Sequence, residues 1–282
     1  MKPTIGDLEV YNLTLTVGSL FSGIGGLDLG LERSGMNISW QCEKDPFCKK
    51  VLKKHWPEVD QYDDIRALDG KELPGVDVIA GGFPCQDISI AGPGHGIKEG
   101  TRSGLWWNMF QIICDIRPKY VILENVPMLT HRGMGEVLGA LASIGYNAEW
   151  NIVSASGIGA RHQRKRIFIV AYPISLGSQR KNVSAFWGPS GYFHLVPGGV
   201  CSDVSDSNSN YILRWGYGKG ENEFQREAQI QGCKQWAIES GVDRVAHGVP
   251  NWMDRIRTLG NAVVPNVAEM VGKMVIMHSM EE

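Results

Sequence analysis

Leu13-Thr14-Leu15-Thr16-Val17 alternates apolar and polar positions and runs into Ser19-Leu20-Phe21, which predicts a first strand. Ser22-Gly23-Ile24-Gly25-Gly26 is a tight glycine-rich turn, and the helix beginning at Leu27 runs to Glu32 and is stopped by Gly35. Ile38 to Cys42 predicts a second strand ending at Glu43. Asp45-Pro46 then supplies an N-cap and first-turn pair for a helix with Phe47, Val51, Leu52 and His55 on one face, which Pro57 ends. Val76 to Ala80 is a short buried-type strand. Leu105, Met109, Ile112, Ile113 and Ile116 have helical spacing, and Tyr120-Val121-Ile122-Leu123 is a strand leading into Glu124-Asn125. Met134, Val137, Leu138, Leu141 and Ile144 mark another amphipathic helix, closed by Gly145. Arg166 to Ala171 is the last clear strand of this half.

Such alternation predicts an α/β fold, a Rossmann-like, mostly parallel sheet with helices on both faces. Ligands of these sheets bind at the carboxyl ends of the strands, where Gly23, Glu43, Cys85 and Glu124 all fall. Residues 1–12 are weakly patterned and read as an extension. From Tyr172 to about Asp254 the pattern gives way to Gly, Ser, Asn and Gln with isolated aromatics, among them Trp187, Tyr192, Trp215 and Trp236, which reads as a small irregular domain. Helical patterning resumes at Val264–Met277. The expected organisation is therefore a domain over residues 1–171, an irregular domain over 172–255, and a C-terminal helix over 256–282 returning to the first domain.

Composition narrows the class of protein. The 282 residues are 43% hydrophobic and 21% charged, as in an ordinary globular chain, and no apolar run is long enough to span a membrane. Met1-Lys2-Pro3-Thr4 opens no signal peptide, so a cytoplasmic protein is expected. Cys42, Cys48, Cys85, Cys114, Cys201 and Cys233 show neither metal-ligand nor disulfide spacing, and no metal is expected. The formal net charge is −2, yet Arg161, Arg164, Lys165, Arg166, Arg180 and Lys181 fall in a stretch, Asn151 to Ser202, without Asp or Glu. That local footprint suits a phosphate backbone or, equally, a solvated basic face.

Cys85 follows a strand end in Gly82-Phe83-Pro84-Cys85-Gln86-Asp87, a place for a nucleophile or for a small buried cysteine. The glycine-rich turn suits a cofactor passing close to the backbone. A dinucleotide fingerprint needs a third glycine where Asp28 stands, which argues against NAD. Glu43, at the end of the second strand, can accept from both hydroxyls of a ribose. Together these features fit S-adenosylmethionine, with Asp64 a candidate partner for its adenine amine.

Phe21-x-Gly23-x-Gly25-Gly26, Pro84-Cys85-Gln86, Glu124-Asn125-Val126, Arg164-x-Arg166 and Gly260-Asn261-Ala262-Val263-Val264-Pro265, in this order, resemble the DNA cytosine-5 methyltransferases over about residues 14–171 and 243–277. The resemblance implies the class I S-adenosylmethionine-dependent methyltransferase fold and methyl transfer to C5 of a flipped-out cytosine in a short duplex DNA sequence. It implies Cys85 as the nucleophile adding to C6, Glu124 as the carboxyl at N3 and the exocyclic amine, Arg164 at the base carbonyl and Arg166 as a support pairing with carboxylates. On the cofactor side it implies Phe21, Gly23, Gly26, Glu43, Asp64, Ile65, Pro84, Leu105, Asn261 and Val263. Ser89 and Arg102, in a glycine-rich segment suited to a lid, join Arg161, Arg180 and Lys181 as candidate DNA contacts.

Lys44 stands where the family often places an apolar or aromatic residue beside the adenine, and His162 where glutamine is common. Residues 172–255 would be the target-recognition domain of a monomeric, bacterial or phage-type enzyme acting at the nucleoid, with a cognate restriction endonuclease as a possible companion. Two other readings stand beside this one. They are a transfer RNA cytosine-5 methyltransferase of the same fold and an inactive DNA-binding relative, the second disfavoured because Cys85 and Glu124 are both present.

Overall fold

A computed structural model describes residues 14–84, 104–175, 195–196, 212–213 and 252–280. Seven strands, β1 (Thr16–Leu20), β2 (Asn37–Cys42), β3 (Asp60–Tyr62), β4 (Val78–Gly81), β5 (Tyr120–Asn125), β6 (Tyr146–Ser154) and β7 (Lys165–Pro173), form one sheet in the order β3-β2-β1-β4-β5-β7-β6. The first five are parallel, joined through helices α1 (Gly26–Arg33), α2 (Pro46–His55) and α3 (Leu105–Ile116) and by shorter connections. Helix α4 (Met134–Ser143) leads to β6, which pairs antiparallel with β7, and β7 in turn runs antiparallel to β5. The sheet is thus mostly parallel, but the alternation does not extend through the last strand.

Successive residues of the central strands face opposite layers, as the pleat requires. Leu20, Ile79, Val121 and Leu123 pack with Trp106, Met109 and Ile112 of α3 and Val137 and Leu141 of α4. Val17, Val78, Tyr120 and Ile122 pack on the other side with Leu27 and Leu31 of α1. That second layer is completed by the end of the chain. The expected C-terminal helix is in fact two, α5 (Trp252–Asn261) and α6 (Pro265–Met280), divided at Ala262–Val264. Pro265 explains the division, since a residue with no N–H fits the first turn of a helix and not its interior.

Helix α6 lies directly on α1. A Cβ on Gly30 would run into Ala268 and the Pro265 carbonyl, and one on Gly272 would meet Ser34. Val267, Val271 and Val275 are buried in the contact layer. At its far end His278 Nδ1 lies 2.8 Å from the Tyr120 hydroxyl, at the start of β5. Of the region expected to be irregular, the described part between residues 176 and 251 is one antiparallel pair, β8 (Leu195–Val196) with β9 (Ile212–Leu213). The rest of it lies outside the described residues.

Candidate active site

The sheet register puts the candidate residues on one edge. Leu20 is paired with both Cys42 and Gly81, and Gly81 with Leu123. The residues that follow, Phe21, Glu43, Gly82 and Glu124, therefore leave the sheet side by side. A parallel β7 would have its first residues at the opposite edge. Because it is antiparallel, with Glu124 opposite Phe168 and Asn125 opposite Ile167, its beginning at Lys165-Arg166 arrives beside Glu124.

On the β1–β2 side the glycine-rich turn winds through left-handed backbone, with φ of 57° at Phe21, 57° at Gly23 and 80° at Gly25. Phe21 is the unusual member, since a Cβ disfavours that region. Glu43 braces the turn. Its Oε2 accepts from the Gly23 N–H at 2.7 Å and its Oε1 from the Asp45 N–H at 2.7 Å. A Cβ at Gly23 would meet only open space, whereas one at Gly26 would strike the Val263 carbonyl oxygen. The turn is thus open above Gly23 and closed by the Ala262–Val264 link below Gly26, the shape of a cradle.

Asp45 caps α2 by accepting from the Phe47 and Cys48 N–H groups, and its other oxygen lies 2.6 Å from Arg257 Nη2 of α5. Asp64 pairs with Arg66 at 2.6 Å and with Lys44 at 3.0 Å. The Arg66 hydrogen bonds hold its carboxyl well below the usual range, with Lys44 adding to them. Lys44 therefore stands beside the expected adenine position as an ion-pair partner of Asp64. Ile65 is buried, Pro84 and Leu105 are half-buried, and Asn261 is exposed at the end of α5.

On the β5–β7 side, Glu124 is buried and its Oε1 lies 2.8 Å from Arg166 Nε. The two opposite charges hold each other in this buried position. Burial lifts the Glu124 carboxyl to about 7, against the pull of Arg166 and Arg164. A Cβ at Gly82 would lie 2.7 Å from Glu124 Oε2, so a side chain here would displace the carboxyl.

Arg164, at φ 26°, does not reach Glu124 but donates from Nη2 to the carbonyls of Gly260 and Ala262. Its buried Nε–H has no acceptor among the described residues. Burial, with Arg166 close by, lowers the Arg164 pKa. Arg161, three residues earlier, is exposed. Cys85, Ser89, Arg102, Arg180 and Lys181 lie outside the described residues.

The chain leading into Cys85 is held by Asn125, the middle residue of the Glu124-Asn125-Val126 motif, and by Trp106, which no motif singles out. Asn125 Nδ2 donates to the Phe83 carbonyl at 3.1 Å, and the Phe83 ring lies 5.5 Å from that of Trp106 in α3. The end of β4 and the start of α3 are thereby clamped together. Asp28, visible in the sequence only as the residue that breaks a G-x-G-x-x-G, proves to be wholly buried beneath the turn and bonded to Ser19 and Gln41. Nothing in its spacing could have announced that.

A family model described as C-5 cytosine-specific DNA methylase matches residues 15–209. The chain is 41% identical over 165 residues to the Type II methyltransferase M2.BsuMI of Bacillus subtilis, covering 56% of this chain and 42% of that protein. It is 36% identical over 157 residues to M.NgoBI of Neisseria gonorrhoeae, covering 54% and 49%. The matched part thus spans about half the length of these curated relatives. Among solved structures, a prophage-encoded chain from E. coli named for DNA modification superposes with a TM-score of 0.61 at 19% identity, covering 95% of this chain and all of that one. The Dnmt2 methyltransferase of S. pombe gives 0.56 at 17% identity, covering 93% and 98%. At these identities the structures speak for the fold alone.

Proposed function

This chain belongs to the C-5 cytosine-specific DNA methylase family, and from that premise we propose that it methylates C5 of a cytosine flipped out of a specific short DNA duplex, with S-adenosylmethionine as donor. The observation that carries the reading is the buried Glu124–Arg166 pair, one strand away from the Gly82-Phe83-Pro84 run into Cys85. Cytosine is a poor carbon nucleophile. Addition of the Cys85 thiolate to C6 makes C5 electron-rich enough to take the methyl group, after which a base such as water accepts the C5 proton and the C6–S bond breaks to release the thiolate.

Glu124, kept protonated up to about pH 7 by its burial, is suited to donate to the base at N3 and to offset charge developing on the ring. Arg166 fixes that carboxyl in place. The Nε–H of Arg164, which meets no acceptor among the described residues, is a ready donor for the base carbonyl, while its Nη2 ties the Gly260–Ala262 link to the site. Extrusion of the base costs a few kcal/mol, which Ser89, Arg102, Arg161, Arg180 and Lys181 are proposed to offset through phosphate contacts. Residues 172–255 are proposed to choose the sequence.

The residues at the first two strand ends fit the donor. Each Glu43 oxygen is engaged by one amide and keeps lone-pair capacity for a ribose hydroxyl, and the space over Gly23 admits a ligand to the backbone. Phe21, Gly26, Asp64, Ile65, Pro84, Leu105, Asn261 and Val263 complete the proposed seat. Bound there, S-adenosylmethionine supplies a methyl group already activated for attack. The names of the curated relatives support a place beside a restriction endonuclease acting at the same sequence.

Cys85→Ser should abolish methyl transfer and leave duplex binding intact, and only the wild type should form a covalent adduct on 5-fluorocytosine DNA. An adduct formed equally by the serine variant, or label transferred to transfer RNA and never to duplex DNA, would refute the assignment.

A further inference from the structure

Beneath the glycine-rich turn runs a chain of buried polar side chains with no part in the chemistry above. Asp28, in the first turn of α1, has no exposed surface. Its Oδ1 accepts from the Ser19 hydroxyl at 2.5 Å and its Oδ2 from Gln41 Nε2 at 2.6 Å. The Ser19 and Ser22 hydroxyl oxygens are 2.8 Å apart, and Gln41 Oε1 faces Gln61 Nε2 at 3.5 Å. One side chain thereby links α1 to the carboxyl-terminal halves of β1 and β2, and through Gln41 to β3.

The direction of these bonds follows from one group. An ionised carboxylate only accepts, so Ser19 must turn its hydrogen to Asp28, and the Ser22 hydroxyl is left to donate to the Ser19 hydroxyl or to the Ser19 carbonyl, 3.3 Å away. Burying a carboxyl is costly unless it is fully bonded, and burial does push the Asp28 carboxyl up to about 6 against the opposing pull of Ser19 and Gln41. Ser19 and Ser22 flank Phe21, whose left-handed backbone a residue with a Cβ adopts only under constraint. Gln41 stands two residues before Glu43, which holds the Gly23 N–H. Both limbs of the seat therefore rest on the same buried carboxyl.

We propose that Asp28 is a positioning residue for the methyl-donor seat, locking Ser19 and Ser22 against Gln41 so that Phe21 and Gly23 keep the backbone shape the donor meets. This rests on the reading of that turn as the S-adenosylmethionine site. Asp28→Asn tests it with almost no change of volume. The introduced amide has one donor end: turned to Gln41 it forces that side chain over and away from Gln61, and turned to Ser19 it forces that hydroxyl to reverse and donate to Ser22, so either way the bond directions of the native set are lost. Adding Gln41→Glu returns an acceptor to both neighbours.

The full-length chain is titrated calorimetrically with S-adenosylhomocysteine and separately with duplex DNA, and methyl transfer is followed against S-adenosylmethionine concentration. Asp28→Asn should weaken S-adenosylhomocysteine binding and raise KM for the donor about tenfold, while kcat and the DNA Kd stay within about twofold. The double variant should recover most of the lost affinity. Unchanged cofactor affinity in Asp28→Asn, no recovery in the double variant, equal loss of DNA and cofactor binding, or failure of Asp28→Asn to fold would each overturn the proposal. A wild-type chain that bound no S-adenosylhomocysteine would instead overturn the functional reading beneath it.

Discussion

Glu124 shows how much of the chemistry one residue's surroundings can set. Its folded-state pKa of about 7 exceeds the ordinary value of 4.5 because burial disfavours the charge. The folded chain therefore holds this proton more tightly than the unfolded chain does. The resulting stability is fully present below the ordinary value and is lost as pH rises through about 7. Asp28, raised from 3.8 to about 6, adds a loss of the same sign at slightly lower pH.

Glu124→Gln should flatten the fall of Tm between about pH 5 and 7 and reduce methyl transfer by a factor of about 100 or more. Equal Tm slopes in the two proteins would show that the carboxyl does not titrate there. Glu124 and Cys85 stand out in the sequence because each follows an apolar strand within a recognisable tripeptide. The role of Asp28 is invisible by comparison. Its partners come from two other strands, and a linear pattern records only that it is not a glycine.

The contact between helices α1 and α6 depends on the lack of side chains. Gly30 and Gly272 let the two backbones approach to where a methyl group would not fit. Gly30→Ala should consequently cost about 1–3 kcal/mol by overpacking and lower Tm by several degrees in thermal denaturation. An unchanged Tm would mean that the helices can separate freely. Helix periodicity made α1 to α4 legible, as did the apolar runs of β1, β2, β4 and β5, because each buries a continuous face.

Three elements were less readable for separate reasons. Strand β3 is three residues long, Asp60-Gln61-Tyr62, and too polar to register as a strand. Strand β6 lies at the sheet edge with Trp150 and Ile152 exposed, so its pattern does not mark a buried side. The direction of β7 leaves no trace in its own sequence, Lys165 to Pro173, since an apolar run reads alike either way. That direction is nevertheless what brings Arg166 to Glu124.

The molecule as a whole carries a formal charge of −2, so any pull on DNA has to be local. Exposed Arg161 lies in the stretch without acidic residues. If it meets a phosphate, Arg161→Ala should reduce the salt dependence of duplex binding, the slope of log K against log salt becoming shallower by about 0.9. It should also weaken binding to cognate and unrelated duplexes alike. A change confined to the cognate sequence would make Arg161 a reader of bases.

The placement of α6 has a wider consequence. It runs from the Val263 link at the ligand edge back to His278 beside Tyr120 at the opposite edge, where β1 also starts. The last helix thus lies on the same layer as the first and finishes near where the sheet begins. A change that pushes α6 off α1 should consequently reach the glycine-rich turn, because the Val263 carbonyl just before α6 packs against Gly26 at the start of α1.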